Sequence, residues 1–305
     1  MSGGEPVEAV LAKLELTVRR RLDGLLQGNH LGLLPGPGSE AGESRLYYPG
    51  DDVRRMDWPV TARTTVPHVR ETIADRELET WALLDLSPSL DFGTANCEKR
   101  DLAIAGLAAV VHLTQHGGNR VGAIVTTGTD VLRIPARSGR AHAQGILKQI
   151  ATVPKSDRGR RGDLAEALRL LRRPPRRRGL VVVISDFLGD ATEAPAWEAP
   201  LRALAVRHEV LAIEVLDPRE LDLPAVGMVL MADPETGKQL EVQTSSRELR
   251  ERYAVEARRQ RAAIAAALRR AGVAQLTLRT DRDWLLDVVR FVAARRRGAL
   301  GGAVR

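Results

Sequence analysis

The spacing of apolar residues changes character along the chain. Residues 6–27 place Val7, Val10, Leu11, Leu14, Val18, Leu22, Leu25 and Leu26 on one helical face. A Gly/Pro stretch at 32–44 must be a loop. The segment 47–71 is polar and turn-rich, with little periodicity. From residue 78 the rhythm alternates. Strands are predicted at 78–87, 120–127, 131–136, 179–187, 209–217 and 274–280. Helices are predicted at 99–116, 142–153, 164–173, 200–207, 246–271 and 284–296. The run 179–187 is continuously apolar before its polar end, as in a parallel strand covered on both faces. Strands alternating with helices predict an α/β, doubly wound and mainly parallel sheet flanked by helices. The expected organisation is an N-terminal helix and turn-rich extension over 1–76, docking on a main domain over 77–297. A disordered tail is expected at 298–305.

In such sheets ligands gather beyond the carboxyl ends of the strands. Two predicted strands end in polar clusters there. Asp85-Leu86-Ser87-Pro88-Ser89 leaves the first, and Asp186 ends the 179–187 strand. Alternate residues of an extended segment point to one side, so Asp85, Ser87 and Ser89 can face one point that Asp186 also reaches. Carboxylates and hydroxyls are hard oxygen donors suited to Mg²⁺. The same pattern also reads as a capped strand–helix junction, with serine caps and Asp85 satisfying loop N–H groups.

Asp-x-Ser-x-Ser at a strand end, with a later strand ending in Asp, resembles the metal-ion-dependent adhesion site of von Willebrand factor A domains, over about residues 78–215. The resemblance implies a von Willebrand factor A-like fold with Asp85, Ser87, Ser89 and Asp186 as ligands of Mg²⁺ or Mn²⁺, directly or through water. It also implies a Thr before an intermediate helix. Here Gly162 stands at that place, with Asp163 as the adjacent oxygen donor. Weak binding and a site that crystals can leave empty are expected.

Before this domain lies a second motif: Tyr47-Tyr48-Pro49-Gly50-Asp51-Asp52-Val53-Arg54-Arg55-Met56-Asp57-Trp58, then Thr61-Ala62-Arg63. Pro49-Gly50 is a turn signal. Asp51, Asp52 and Asp57 alternate with Arg54, Arg55 and Arg63, so charge-assisted pairs can form within the segment, with Trp58 as an anchor beside them. Two readings stand: an ion-paired clamp onto the domain, or a partner-binding surface. The two motifs in this order resemble the bacterial domain of unknown function 58 family, from about Leu31 to Asp217. That resemblance implies a role beside a MoxR-type AAA+ ATPase, in the maturation of a protein client or cofactor.

Charge adds partner classes without choosing among them. The chain carries +7, and only five of its 46 basic residues are lysine. This balance favours acidic partners, nucleic acid or anionic membranes. Arg158, Arg160 and Arg161 precede Gly162 and form a candidate basic patch for an acidic partner, or a solvated turn. Arg258, Arg259, Arg261, Arg269 and Arg270 are expected on an exposed helix face. Nucleic acid is disfavoured because aromatics, 3% of the chain, do not interleave with the arginines. One cysteine, Cys97, permits no intrachain disulfide and fits a reducing compartment. There is no apolar run long enough to span a bilayer and no signal peptide, so a cytoplasmic protein without membrane insertion is expected. The leading functional expectation is a non-enzymatic, metal-dependent protein-interaction module. A Mg-dependent phosphate-ester hydrolase is the alternative, with Asp85, Asp186 and Asp163 holding metal. A nucleic-acid binder is the third. Against hydrolysis, the sequence offers no P-loop, no serine or cysteine nucleophile paired with His, and no metal-ligand spacing among six His.

Overall fold

The computed structural model describes residues 17–18, 20–21, 44–48, 56–70, 78–115, 119–128, 130–155, 162–172, 178–189, 194–233 and 236–302. Two compact units appear: residues 34–77 form one, and residues 1–33 with 78–305 form the other.

In the smaller unit, β1 (Ser44–Leu46) pairs antiparallel with β2 (His68–Arg70), and helix α1 (Trp58–Thr64) lies between them in sequence. Asp57 caps α1, its side chain accepting from the Val60 N–H at 3.3 Å. The Asp57 N–H donates to the His68 carbonyl at 2.8 Å, which ties the cap to β2. Thr65 ends the helix in the left-handed region, at φ 58°. The helix was not expected from the spacing of 47–71, because none of its residues is buried and it has no apolar stripe.

The larger unit is built on a six-stranded sheet. Its strands are β3 (Glu79–Asp85), β4 (Arg120–Thr126), β5 (Val131–Ser138), β6 (Leu180–Ser185), β7 (Glu209–Leu216) and β10 (Ala274–Arg279), in the order β10-β7-β6-β3-β4-β5. All neighbours are parallel except β4 and β5. This is the mainly parallel, helix-flanked α/β class the sequence predicts. β6 is buried at every position, so its six residues need no alternation. β5 is the edge: only Ile134 and Ala136 face inward, and Pro135 is tolerated because an edge strand has spare N–H groups. Gly122 sits at the bulge where β5 closes on β4; a Cβ there would lie 2.9 Å from the Ala136 nitrogen.

Helices α2 (Lys99–Thr114), α3 (Arg140–Ala151) and α7 (Trp284–Gly302) lie on one side of the sheet. Helices α4 (Leu164–Leu170), α5 (Glu198–Ala205) and α6 (Arg247–Arg270) lie on the other. α2 is buried along nearly its whole length, so it carries Ala, Leu, Ile and Val on every face. α7 runs to Gly302, past residue 298, where the tail is expected to begin. Between β7 and α6 a hairpin, β8 (Met228–Ala232) and β9 (Gln239–Gln243), stands apart as its own two-stranded sheet. No helix among the described residues is long and apolar enough to cross a membrane.

The topology fixes where chemistry can gather. From β3 the chain moves outward to β4 and β5, then returns to β6 on the other side of β3. The connections leaving β3 and β6 therefore diverge, opening the switch point where ligands of such sheets bind. Asp85 ends β3, and Asp186 follows the last residue of β6.

Candidate functional site at the β3–β6 switch point

The sequence-predicted residues Asp85, Ser87, Ser89 and Asp186 do come together. All four are buried, with 6%, 2%, 5% and 2% of their surface exposed. One oxygen of Asp85 accepts from the Ser87 N–H at 3.0 Å, an Asx-type turn that bends the chain off β3. The other accepts from the Ser185 hydroxyl at 2.8 Å. Ser87 Oγ and Ser89 Oγ are 3.2 Å apart, and the Ser89 side chain hydrogen-bonds Asp186. The cluster is thus continuous from β3 to β6.

After Asp186 the backbone turns sharply. Phe187 has φ 55°, an uncommon conformation for a bulky residue. It is held by burial, an edge-on contact with Trp197 and an N–H bond to Ser185 Oγ. The turn lets the Leu188 N–H reach Asp186 at 3.1 Å. Strain of about 1–3 kcal/mol at such a point persists only where the surroundings enforce it.

The two carboxylates differ in their compensation. Burial, then the negative charge of Asp186, pushes the Asp85 carboxyl up to about 6, against the hydrogen bonds from Ser185 and Ser87. Among the described residues no cation pairs with Asp85. Asp186 is buried as deeply, but the Lys99 ammonium beside it holds its carboxyl below the usual range. Lys99 Nζ lies 2.8 Å from Asp186 and 2.6 Å from Glu220, with its side chain fully buried. Burial opposes the ammonium, yet these two carboxylates raise its pKa above the ordinary lysine value.

The charge network continues into the fold. Arg261 donates to the Asp186 carbonyl at 3.0 Å and to Glu214 at 3.2 Å, and its other nitrogen lies 3.6 Å from Glu220. Glu214 also accepts from Gln275 at 2.8 Å and Thr277 at 2.9 Å. Arg261 is a correction to the sequence reading. It is not on an exposed face, because its side chain is 13% exposed. It lies on the stripe Ala257, Ile264, Ala267 and Leu268 that α6 packs inward, whereas Arg258, Arg259, Arg269 and Arg270 are exposed as expected.

Other sequence-named residues fall elsewhere. Asp163 is exposed and caps α4, accepting from the Glu166 N–H at 2.9 Å. Gly162 lies against Ser87: a Cβ there would be 3.0 Å from Ser87 Cβ and 3.7 Å from its Oγ. The loop therefore closes tightly on the serine, and a side chain at 162 would require Ser87 to give by a few tenths of an ångström. In the smaller unit Trp58, expected as an anchor, is 66% exposed, Tyr48 is 62% exposed, and Arg63 is exposed in the last turn of α1. Pro49, Gly50, Asp51 and Arg54 lie outside the described residues, as do Arg158, Arg160 and Arg161.

A divalent ion fits this donor set poorly. The oxygens are of the right kind, but Asp186 is already bonded to Lys99, Leu188 and Ser89, and Asp163 is engaged on a helix. Mg²⁺ also keeps several waters, and among the described residues donors that are 2–6% exposed give those waters little room. Among the described residues no three Asp, Glu, His or Cys side chains form a metal-holding group.

Sequence reasoning missed Ser185, Lys99, Glu214, Glu220 and the burial of Arg261. One signal for Lys99 was present. It is one of five lysines, and it opens a helix whose N-terminal dipole disfavours a cation.

Comparison with known proteins places the chain. The model of the family described as protein of unknown function DUF58 matches residues 43–263. An uncharacterized protein of Mycobacterium tuberculosis, Rv1480, is 60% identical over 294 residues, covering 96% of this chain and 91% of its own length. An uncharacterized protein of Mycobacterium avium is 55% identical over 170 residues, covering 56% of this chain and 98% of its own length. Among solved structures, the conserved hypothetical protein BatB from Bacteroides thetaiotaomicron is 19% identical, with a TM-score of 0.45, covering 72% of this chain and 99% of that one. The SpRpn10 VWA domain is 10% identical, with a TM-score of 0.38, covering 70% and 93%. The chain belongs to the DUF58 family, whose function is unknown.

Proposed function

We propose that this chain is a non-enzymatic protein-interaction module that binds its partner through the loops at the β3–β6 switch point. The observation that carries the reading is Asp85. A buried carboxylate with no cationic partner among the described residues works against folding, and such costs collect at functional sites. The serine hydroxyls around it bond to carboxylates or to each other rather than to an imidazole. That arrangement lacks the nucleophile–base pairing of a hydrolase. The exposed loop 92–96 follows directly, and Phe92, 38% exposed, is an aromatic in a chain with only three Phe. Exposed aromatics beside a polar cluster are the residues that anchor interfaces.

The partner we propose is a MoxR-type AAA+ ATPase, acting with this chain in the maturation of a protein or cofactor in a reducing compartment. The test mixes the purified chain with a MoxR-type ATPase from the same genome and measures affinity and ATPase rate. Phe92→Ala should weaken binding about tenfold or more, as loss of a hot-spot aromatic does, while the variant stays folded with a melting temperature lowered by only a few degrees for its partly buried ring. A Phe92→Ala protein that binds as well as wild type, or a wild type that does not bind, would refute the proposal.

A further inference from the structure

We propose that the Lys99 ammonium is a built-in cation that replaces a divalent metal at the switch point. The side chain enters from the first residue of α2 and is fully buried, with Nζ between Asp186 at 2.8 Å and Glu220 at 2.6 Å. The helix end and the burial both disfavour a positive charge there. The first turn of a helix carries the positive end of its dipole, and a fully buried ammonium has lost its water. Only carboxylates offset both costs, so the position of Lys99 is set by Asp186 and Glu220.

Three further observations point the same way. Glu220 is held in place by its own capping box, its second oxygen accepting from the Asp217 N–H at 3.0 Å. Glu220 therefore reaches the cluster on a fixed turn rather than as a loose surface side chain. Gly162 supplies no side-chain donor where it closes on Ser87, 3.0 Å from a Cβ built on the glycine. Asp163, the next oxygen donor in sequence, is bound to its own helix. The donors that a divalent ion would need are thus removed or engaged, and the charge it would bring is supplied by a tethered group. A tethered cation does not exchange with solvent, so the rim keeps one charge state whatever the metal supply. Recognition at this surface would then be independent of Mg²⁺ and Mn²⁺. The inference concerns the interior of the proposed binding surface but reads cation occupancy alone. Loss of partner binding would sink the interaction reading and leave this one standing.

The test is a set of thermal melts with and without millimolar MnCl₂ or MgCl₂, on wild type, Asp85→Ala, Lys99→Ala and Lys99→Ala/Asp85→Ala. Wild type should melt at the same temperature with and without metal. Lys99→Ala leaves Asp186 and Glu220 uncompensated beside the space vacated by the side chain. It should melt lower and recover several degrees with Mn²⁺ by mass action. The double variant should recover less. Two results would overturn the proposal: a metal-dependent rise in wild type that Asp85→Ala abolishes, or a folded Lys99→Ala protein indifferent to metal. If Lys99→Ala does not fold on expression, dilution from urea with and without Mn²⁺ decides. Recovery of native circular dichroism only with metal supports the proposal, and equal yields refute it.

Discussion

Replacing Asp85 with asparagine should stabilise the protein at neutral pH. The carboxyl is buried, and burial followed by the charge of Asp186 raises it from 3.8 to about 6. A group raised in the folded state gives stability that is full below its unfolded value. That stability is lost as pH rises through the folded value. The window here runs from about pH 4 to about pH 6. At 1.36 kcal/mol per unit, the shift from 3.8 to about 6 amounts to about 3 kcal/mol of penalty at pH 7.5. Asparagine keeps the shape and removes the charge. Its amide oxygen can still accept from the Ser87 N–H, but its NH₂ faces a Ser185 hydroxyl that already accepts from Phe187. One weakened hydrogen bond returns about 1 kcal/mol of that gain. The expected net is about 1–3 kcal/mol in favour of Asp85→Asn at pH 7.5 and about zero near pH 4. The pairing of Asp186 with Lys99 moves in the opposite direction with pH, but it is common to both proteins and cancels. Urea unfolding of the two proteins at pH 4.5, 6 and 7.5 reads the difference directly. An Asp85→Asn protein less stable than wild type by a constant amount at all three values would refute the reasoning.

Asp57→Ala removes the cap of α1 and should cost about 0.5–2 kcal/mol of local stability, read as faster amide exchange across residues 58–64. Arg261→Met breaks an ion pair whose partners Glu214 and Arg261 are 4% and 13% exposed, and should destabilise by about 3–5 kcal/mol in urea unfolding. The same change at Arg258, exposed on α6, should be close to neutral. The purified chain should turn over neither ATP, phosphate esters nor nucleic acid with Mg²⁺ or Mn²⁺; robust turnover lost on Asp85→Ala would restore the hydrolase reading.

Much of the frame was legible because the sheet is buried on both faces. β6 reads as a continuous apolar run, and the polar residues after β3 and β6 mark where the apolar run stops, although burial continues through them. Asp85, Ser87, Ser89 and Asp186 therefore declared themselves as strand-end residues. Residues 218–245 carry no predictive period, and the reason lies in the hairpin found there. β8 is five residues, with Met228 61% and Leu230 58% exposed, so its apolar residues do not mark one face. The compensating cations were illegible for a different reason. Lys99 meets Asp186 across 87 residues, and Arg261 meets Glu214 across 47, and no local pattern reports contacts at that range. In an Arg-rich helix, an arginine on the inward stripe looks like its exposed neighbours until the packing face is known.

A crystal structure grown in millimolar MnCl₂, with anomalous diffraction recorded near the manganese edge, tests the switch-point account most directly. The account predicts Lys99 Nζ within hydrogen-bond distance of Asp186 and Glu220, and no anomalous peak beside Asp85, Ser87 or Ser89. An anomalous peak about 2.1–2.3 Å from Asp85, Ser87 or Ser89, with the Lys99 ammonium turned away, would contradict it.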